Sequence, residues 1–350
     1  MAQAELHHSP AFAGGKTGQY LGVETTLSFA ALADELEVLH SGAAVFELDW
    51  RALINVSGKD RVRWLHNMVT NNIRDLQPNH GRYNFVLNAQ GRILGDLYVF
   101  NRGESLLIQT DRRQVETLLT TLRRFIIMDK VELSDLDSSI AGIGVAGPKA
   151  QELLSAAGID TVALEPLGIQ DVSFHGVQVQ IVRGGEQKST WFEIWLDPSQ
   201  ARAVASRLTH AGASSIGAEA LEMWRVLLGI PQYGVDIRDR DLPQETGQMQ
   251  ALNFNKGCYI GQEIVERIRS RGQVHRKFTG FVFAGGLAPV QRFEADGRTY
   301  AEVTSAAKIP ASGGTRNLGI GYVRQDAVPE SGVFDLNGIK ATVASLPFEF

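Results

Sequence analysis

Lys256-Gly257-Cys258-Tyr259-Ile260-Gly261-Gln262-Glu263 holds the only cysteine of a 350-residue chain. A thiol reacts as its thiolate, and a nearby ammonium favours that charged form. Lys256, two positions before Cys258, therefore reads as an activating partner. Gly257 clears space beside the sulfur, and Gly261 permits a sharp turn into the following segment. A free cysteine is also commonly a small buried hydrophobe, so chemistry alone leaves both readings open. The sequence on either side has to decide between them.

Immediately upstream, residues 232–245 are polar, aspartate-rich and irregular, as expected of a loop over a cleft. Downstream, Ile264, Glu266, Ile268 and Ser270 alternate with Val265, Arg267, Arg269 and Arg271, the period of a strand. Arg267, Arg269, Arg271, His275, Arg276 and Lys277 form a basic run. It suits a solvated strand pair, or a patch for a polyglutamate tail, an acidic partner face or RNA phosphate. From Thr279 onward strands and turns alternate, which predicts an all-β unit, a barrel or a sandwich.

The first half of the chain reads as α+β. Residues 1–24, rich in Gly, Ala, His and Ser, predict a loose arm. Leu27, Leu32, Leu36 and Leu39 predict a helix to His40. Leu53-Ile54-Asn55-Val56 predicts a strand ending at Ser57-Gly58-Lys59-Asp60, and Asn88-Ala89-Gln90-Gly91 a hairpin turn between apolar runs. The order recurs. Ile143-Gly144-Val145-Ala146-Gly147-Pro148-Lys149 matches the segment at Ile54. Glu193-Ile194-Trp195-Leu196-Asp197 matches the strand that runs from Leu106 to Asp111, with Asp111 and Asp197 both placed to cap the helix that follows. Gly58 to Gly147 and Asp111 to Asp197 are nearly equal spans, so two related α+β units are expected. Gly142 to Gly147 formally satisfies G-x-G-x-x-G, but the repeat accounts for it as strand-to-helix packing, and the α/β alternation of a dinucleotide fold is missing around it.

The totals agree with a multidomain globular protein: 44% hydrophobic and 21% charged residues, with a formal charge of −5. That charge argues against direct, general nucleic-acid binding. A single cysteine excludes a disulfide framework and a self-contained Cys-only metal site, and no metal ligand set is read. No secretory signal and no long apolar span stands out, so a cytoplasmic protein with no membrane association is expected.

The eight-residue motif resembles the signature of the YgfZ branch of the YgfZ/GcvT family, folate-binding proteins related to the aminomethyltransferase of glycine cleavage. Gly58 to Asn72, Leu87 to Val99, Val145 to Leu154, and Glu222 to Asp236 with its Gly-x-x-x-Tyr-Gly-x-Asp pattern agree in order. Val303-Thr304-Ser305 and Ser345-Leu346-Pro347-Phe348 agree too. The resemblance implies a three-domain cloverleaf around a central folate hole, two ferredoxin-like α+β units and a C-terminal β-barrel. The corresponding boundaries are an N-terminal arm at 1–24, α+β domains at 25–138 and 139–245, a motif-bearing connector at 246–277 and the barrel at 278–350.

It also implies tetrahydrofolate, or a one-carbon derivative of it, as cofactor. Assembly or repair of iron–sulfur enzymes, including tRNA-modifying ones, becomes the expected role. Iron–sulfur client or assembly proteins are then the partners, a transient cluster a second cofactor, and Cys258 with Lys256 the working pair. An aminomethyltransferase and a non-catalytic folate-binding scaffold are the alternatives. By position, Asp96 matches an aspartate beside the reactive folate nitrogens and Tyr83 a ring that stacks on the folate. Glu193, in Phe192-Glu193-Ile194, matches a pterin-binding glutamate, and Arg225 an arginine that pairs with the ligand's carboxylates. The chain departs from the transferase pattern in three places: Gly95 replaces the first acid of an Asp-Asp-Leu segment, Glu186-Gln187-Lys188-Ser189 replaces Tyr-Thr-Gly-Glu, and Leu227 replaces a glutamate.

Overall fold

The computed structural model describes residues 11–136, 139–185, 189–272, 274–287, 290–295, 297–311 and 314–349. Strands β1 (Lys16–Tyr20) and β2 (Val23–Ser28) pair antiparallel. Leu21 and Gly22 turn between them with φ of 52° and 79°, the left-handed pair of a tight hairpin. Of the loose arm expected over residues 1–24, residues 16–24 belong to this hairpin, and residues 1–10 lie outside the described residues. The hairpin is fixed because Thr26 donates from N and Oγ1 to Glu47 at 3.3 and 2.8 Å. Helix α1 (Leu32–Ser41) starts later than the leucine spacing predicts. Leu27 lies in β2, and the buried Glu35 carboxylate collects the amides of Phe29 and Ala30 at 2.6 and 2.9 Å, which fixes the turn before the helix.

Strand β3 (Ala44–Glu47) is buried at every residue. The first α+β unit then runs through β4 (Arg51–Ser57), α2 (Arg61–Met68), β5 (Gly81–Leu87), β6 (Ile93–Asn101), β7 (Leu106–Asp111), α3 (Val115–Arg123) and β8 (Glu132–Asp135). Its sheet has the order β5-β6-β7-β4-β8. The second unit comprises β9 (Ala141–Ala146), α4 (Ala150–Ala156), β10 (Ile169–Phe174), β11 (Val177–Arg183), β12 (Trp191–Leu196), α5 (Ala201–His210) and β13 (Ser214–Ser215). Its sheet, β10-β11-β12-β9-β3-β13, takes in β3 from the earlier part of the chain. The reason is steric. Gly144 on β9 has no Cβ where Phe46 of β3 lies, so the two strands pack closely. Gly142 and Gly144 of the G-x-G-x-x-G match therefore serve strand packing.

The repeat has a physical counterpart. Gly58 and Gly147 take φ of 98° and 108°, and a Cβ on either would strike a backbone carbonyl, that of Lys130 or Gly42. Each glycine turns a strand into the helix after it, α2 or α4. Asp111 and Asp197 accept from the amides of Arg113 and Ser199 at 3.2 and 2.8 Å, as N-cap carboxylates do.

Helix α6 (Ala218–Leu228) is buried on nearly all sides, so it is shared by several layers. Helix α7 (Gln262–Arg271) occupies the stretch whose alternation predicts a strand. Left-handed Gly261 and Gly272 bound it at its two ends. Only Val265 of its apolar residues is fully buried, and a mostly solvated segment carries no reliable period for either structure.

The C-terminal strands are β14 (Arg276–Ala284), β15 (Arg292–Ala295), β16 (Arg298–Ala311), β17 (Gly314–Arg324), β18 (Val333–Leu336) and β19 (Ile339–Ala344). They form one antiparallel sheet, β15-β16-β17-β14-β19-β18. Among the described residues its end strands do not pair, so the expected barrel is a curved half-barrel. It buries Phe281, Phe283, Phe293 and Phe334, each contributing about 1.5–3 kcal/mol.

Candidate functional site

The two α+β sheets, α6 and the segment after it enclose a cavity of about 230 Å³. Tyr83, Asp96, Glu193 and Arg225 all line it, together with Tyr98, Trp191 and Trp224. Tyr83 and Asp96 come from the paired strands β5 and β6. Glu193 reaches the same space from β12, and Arg225 from α6. Side chains far apart in sequence thus meet because strands of two sheets and one helix line the same cavity.

Asp96 is held firmly. Tyr83 Oη donates to Oδ2 at 2.6 Å and Gln114 Nε2 to Oδ1 at 2.7 Å, while Asp96 N donates to Gln114 Oε1 at 2.9 Å. Burial raises its pKa, against the opposing pull of those hydrogen bonds and of the Arg51 charge. Gly95 has a role here. A Cβ at that position would sit 2.9 Å from both Gln114 Oε1 and Leu118 Cδ2, so the residue that departs from the acid pair leaves room for the clamp on Asp96.

Glu193 is equally well anchored. Trp195 Nε1 donates to Oε2 at 3.1 Å, Trp191 Nε1 to Oε1 at 3.3 Å, and Gln109 Nε2 also donates to Oε2. Oε1 has one long bond and keeps acceptor capacity on the cavity side.

Arg225 differs from its expected role. Its Nε and Nη2 donate to Glu222 at 2.7 and 2.6 Å, Nη1 to Asp236 at 2.7 Å and to the Ile230 carbonyl at 3.1 Å, and Nη2 to Ser305 at 2.8 Å. All five N–H donors of the guanidinium are thereby used. Thr304 and Ser305 donate in turn to Asp236 at 2.5 and 2.7 Å. Arg225 is a brace between α6, the Gly-x-x-x-Tyr-Gly-x-Asp segment and the Val303-Thr304-Ser305 strand, not a spare cation for ligand carboxylates.

Lys256 and Cys258 lie outside the cavity wall. Lys256 is 7% exposed and its Nζ donates to the carbonyls of His66, Val69 and Asn71 at 2.6, 2.5 and 2.8 Å. It closes the C-terminal end of α2, where carbonyls lack helical partners. Burial, with a smaller push from Arg74, lowers its pKa to about 7. Lys256, expected to be the activating partner of the thiol, spends its three N–H donors on backbone carbonyls.

Tyr259 is buried in a cluster with Tyr83, Phe85 and Val265. Gly261, at φ 83°, passes so close to the turn at Asn88 that a Cβ would lie 2.6 Å from its carbonyl. Between these anchors Cys258 is exposed, and a Cβ on Gly257 would meet nothing within 4 Å. Among the described residues no group of three His, Cys, Asp or Glu is placed to hold a metal ion, and no helix is long and apolar enough to cross a membrane.

Sequence reasoning missed Arg51, Gln109, Gln114 and Gln232. Arg51 opens an apolar strand, and only the pairing of β4 beside β7 turns it towards the cavity. The glutamines carry no local signal at all. Among the described residues, two cavity-lining polar atoms, Arg51 Nε and Gln232 Oε1, are buried without a hydrogen-bond partner. Such atoms are costly unless something meets them. The Glu186 to Lys188 stretch, named among the departures, lies outside the described residues. Leu227 is 2% exposed and packs in the main core with Trp224 and Phe348.

An α/β protein with a half-barrel at its C-terminus and an aromatic, acid-bearing cavity at the junction of its sheets is a defined class. It has the fold of the aminomethyltransferases. The crystal structure of glycine cleavage system aminomethyltransferase T from Bartonella henselae superposes with a TM-score of 0.84 at 23% identity, covering 96% of this chain and 95% of that one. The chain belongs to the family of the GCVT N-terminal domain, whose model matches residues 6–256. It is 26% identical over 349 residues to an aminomethyltransferase of Geobacillus kaustophilus, covering 96% of this chain and 95% of the relative. An aminomethyltransferase of Rubrobacter xylanophilus is 27% identical over 365 residues, covering 99% and 95%.

Proposed function

We propose that the cavity binds tetrahydrofolate. The observation that carries this reading is the pairing of two anchored carboxylates, Asp96 and Glu193, across a space walled by Tyr83, Tyr98, Trp191 and Trp224. A flat heterocycle rich in N–H donors fits such a space, stacking on rings and donating to carboxylates. When bound, tetrahydrofolate supplies nitrogens that carry a one-carbon unit. Glu193 Oε1 accepts from the aminopyrimidine edge, and Tyr83 and Tyr98, whose rings lie 4.9 Å apart, flank the ligand. Asp96 faces the reactive nitrogens. Burial raises its pKa, which favours a proton held at a carboxyl oxygen. Arg225 holds the wall in place through Asp236 and Glu222.

In this reading the chain is of the YgfZ type and supports assembly or repair of iron–sulfur enzymes, tRNA-modifying ones included. Its working group towards client proteins is Cys258, which stands exposed while Lys256, Tyr259 and Gly261 are committed to structure. Calorimetric titration with tetrahydrofolate tests the first half. Binding should be measurable, and Glu193→Gln should weaken it about tenfold, since a bond to a charged group is worth about 1.5–3 kcal/mol. No heat on titration with the wild type would leave a scaffold that binds no folate. Cys258→Ala should fold normally and fail to restore iron–sulfur enzyme activity in a strain lacking the protein; full restoration would remove the thiol from the mechanism. The aminomethyltransferase reading draws on the names of the relatives, and tetrahydrofolate-dependent ammonia release from an aminomethylated carrier protein would favour it.

A further inference from the structure

Arg51 is a guanidinium inside the cavity with no hydrogen-bond or ion-pair partner among the described residues. Its Nε is shielded from solvent and unpaired, and its Cζ lies 5.9 Å from the centre of the Tyr98 ring. The acids around it are already engaged. Asp111, its register partner across β4 and β7, is held by Arg113 at 3.0 and 3.2 Å. Each oxygen of Asp96 already accepts a hydrogen bond, from Tyr83 and from Gln114. Arg51 lies over Tyr98, whose ring neighbours that of Tyr83, the residue bonded to Asp96, so its place is the Asp96 end of the cavity. Arg225, the other arginine of the wall, has no donor left.

A half-buried cation whose shielded Nε has no partner favours a ligand that brings an oxygen acceptor, and it repels a cationic group. We propose that Arg51 makes the site selective for folates whose one-carbon unit carries an oxygen, a formyl group, over those carrying a methyl or a cationic aminomethyl group. The inference rests on the reading of Asp96 as the residue facing the reactive nitrogens of tetrahydrofolate. No bond is made or broken in it. Arg51 donates to the carbonyl oxygen while Tyr98 screens the guanidinium face.

The test is calorimetric titration of the wild type and Arg51→Met with two probes that differ by that oxygen, 5-formyltetrahydrofolate and 5-methyltetrahydrofolate. Wild type should bind the formyl compound at least about tenfold more tightly, the scale of one charge-assisted bond. R51M should bind both with affinities within about threefold of each other, the formyl compound having lost affinity and the methyl compound having kept or gained it. An equal affinity of wild type for the two probes, or an undiminished preference in R51M, overturns the assignment. Binding of neither probe nor of tetrahydrofolate itself to the wild type overturns the folate reading together with it. Tm is measured alongside. Should R51M not fold, R51Q, neutral and polar, carries the same expectation at smaller amplitude.

Discussion

Lys256 and Cys258 stand two residues apart and have opposite fates. Lys256 turns inward to three carbonyls, and Cys258 turns outward to solvent. Proximity in sequence suggested one chemical unit; the geometry separates a structural cation from a free thiol. Lys256→Met should therefore lower stability by about 3 kcal/mol, because it leaves buried carbonyls at the end of α2 unsatisfied. The rate at which a thiol reagent labels Cys258 in the folded variant should stay within twofold of wild type. Chemical denaturation and labelling kinetics measure the two effects separately. A large fall in labelling rate without loss of stability would restore Lys256 as an activator. At Asp96 the hydrogen bonds from Tyr83 and Gln114 fix the carboxylate in the cavity wall.

Among the elements, α6 ties the molecule together. Arg225 projects from it onto Asp236, which is fully buried, and Asp236 in turn receives Thr304 and Ser305 from β16. Two sequence segments that agree with the family pattern in order, 222–236 and 303–305, thus meet at one buried ion pair. Removing one partner of such a pair leaves an uncompensated charge, at about 3–5 kcal/mol. Arg225→Met is accordingly expected to lower Tm and denaturation midpoint strongly. Whatever fraction stays folded should keep its tetrahydrofolate affinity to within a few-fold. A stable variant with selectively lost affinity would return Arg225 to the ligand. The repeat is also an element-scale result. Gly58 and Gly147 announce it in sequence because each must take a left-handed turn against a carbonyl that no Cβ could approach.

At the scale of the whole molecule, acid should weaken the fold through His66. Its imidazole is 2% exposed, and burial first, then the charge of Lys256, lowers its pKa to about 4. An unfolded histidine titrates near 6.5. Between those values the unfolded chain carries a proton that the folded chain lacks, so stability falls as pH drops from 6.5 to 4. At about 1.4 kcal/mol per unit the loss reaches about 3 kcal/mol. Replacing His66 by Gln should flatten the dependence of Tm on pH over that window, as followed by thermal unfolding. An unchanged slope would place the acid sensitivity elsewhere.

The amino-acid sequence by itself determined the α+β repeat, the β-rich C-terminal part and four of the cavity residues, Tyr83, Asp96, Glu193 and Arg225. These signals are local: apolar periods, capping aspartates, glycines at forced turns and a motif order shared with a family. Tertiary structure alone decided the rest. Strand β3 joins the second sheet because Gly144 admits Phe46, and residues 264–271 form a helix because the flanking glycines and Val265 outweigh a weak alternation. Lys256 became a plug and Arg225 a brace because carbonyls and carboxylates distant in sequence converge on them. Arg51 stays in the cavity wall without a hydrogen-bond or ion-pair partner among the described residues because Asp111 pairs with Arg113 while Tyr83 and Gln114 hold Asp96. A side chain's chemistry is written in its residue type, but its role depends on which donors and acceptors remain free once the chain has folded.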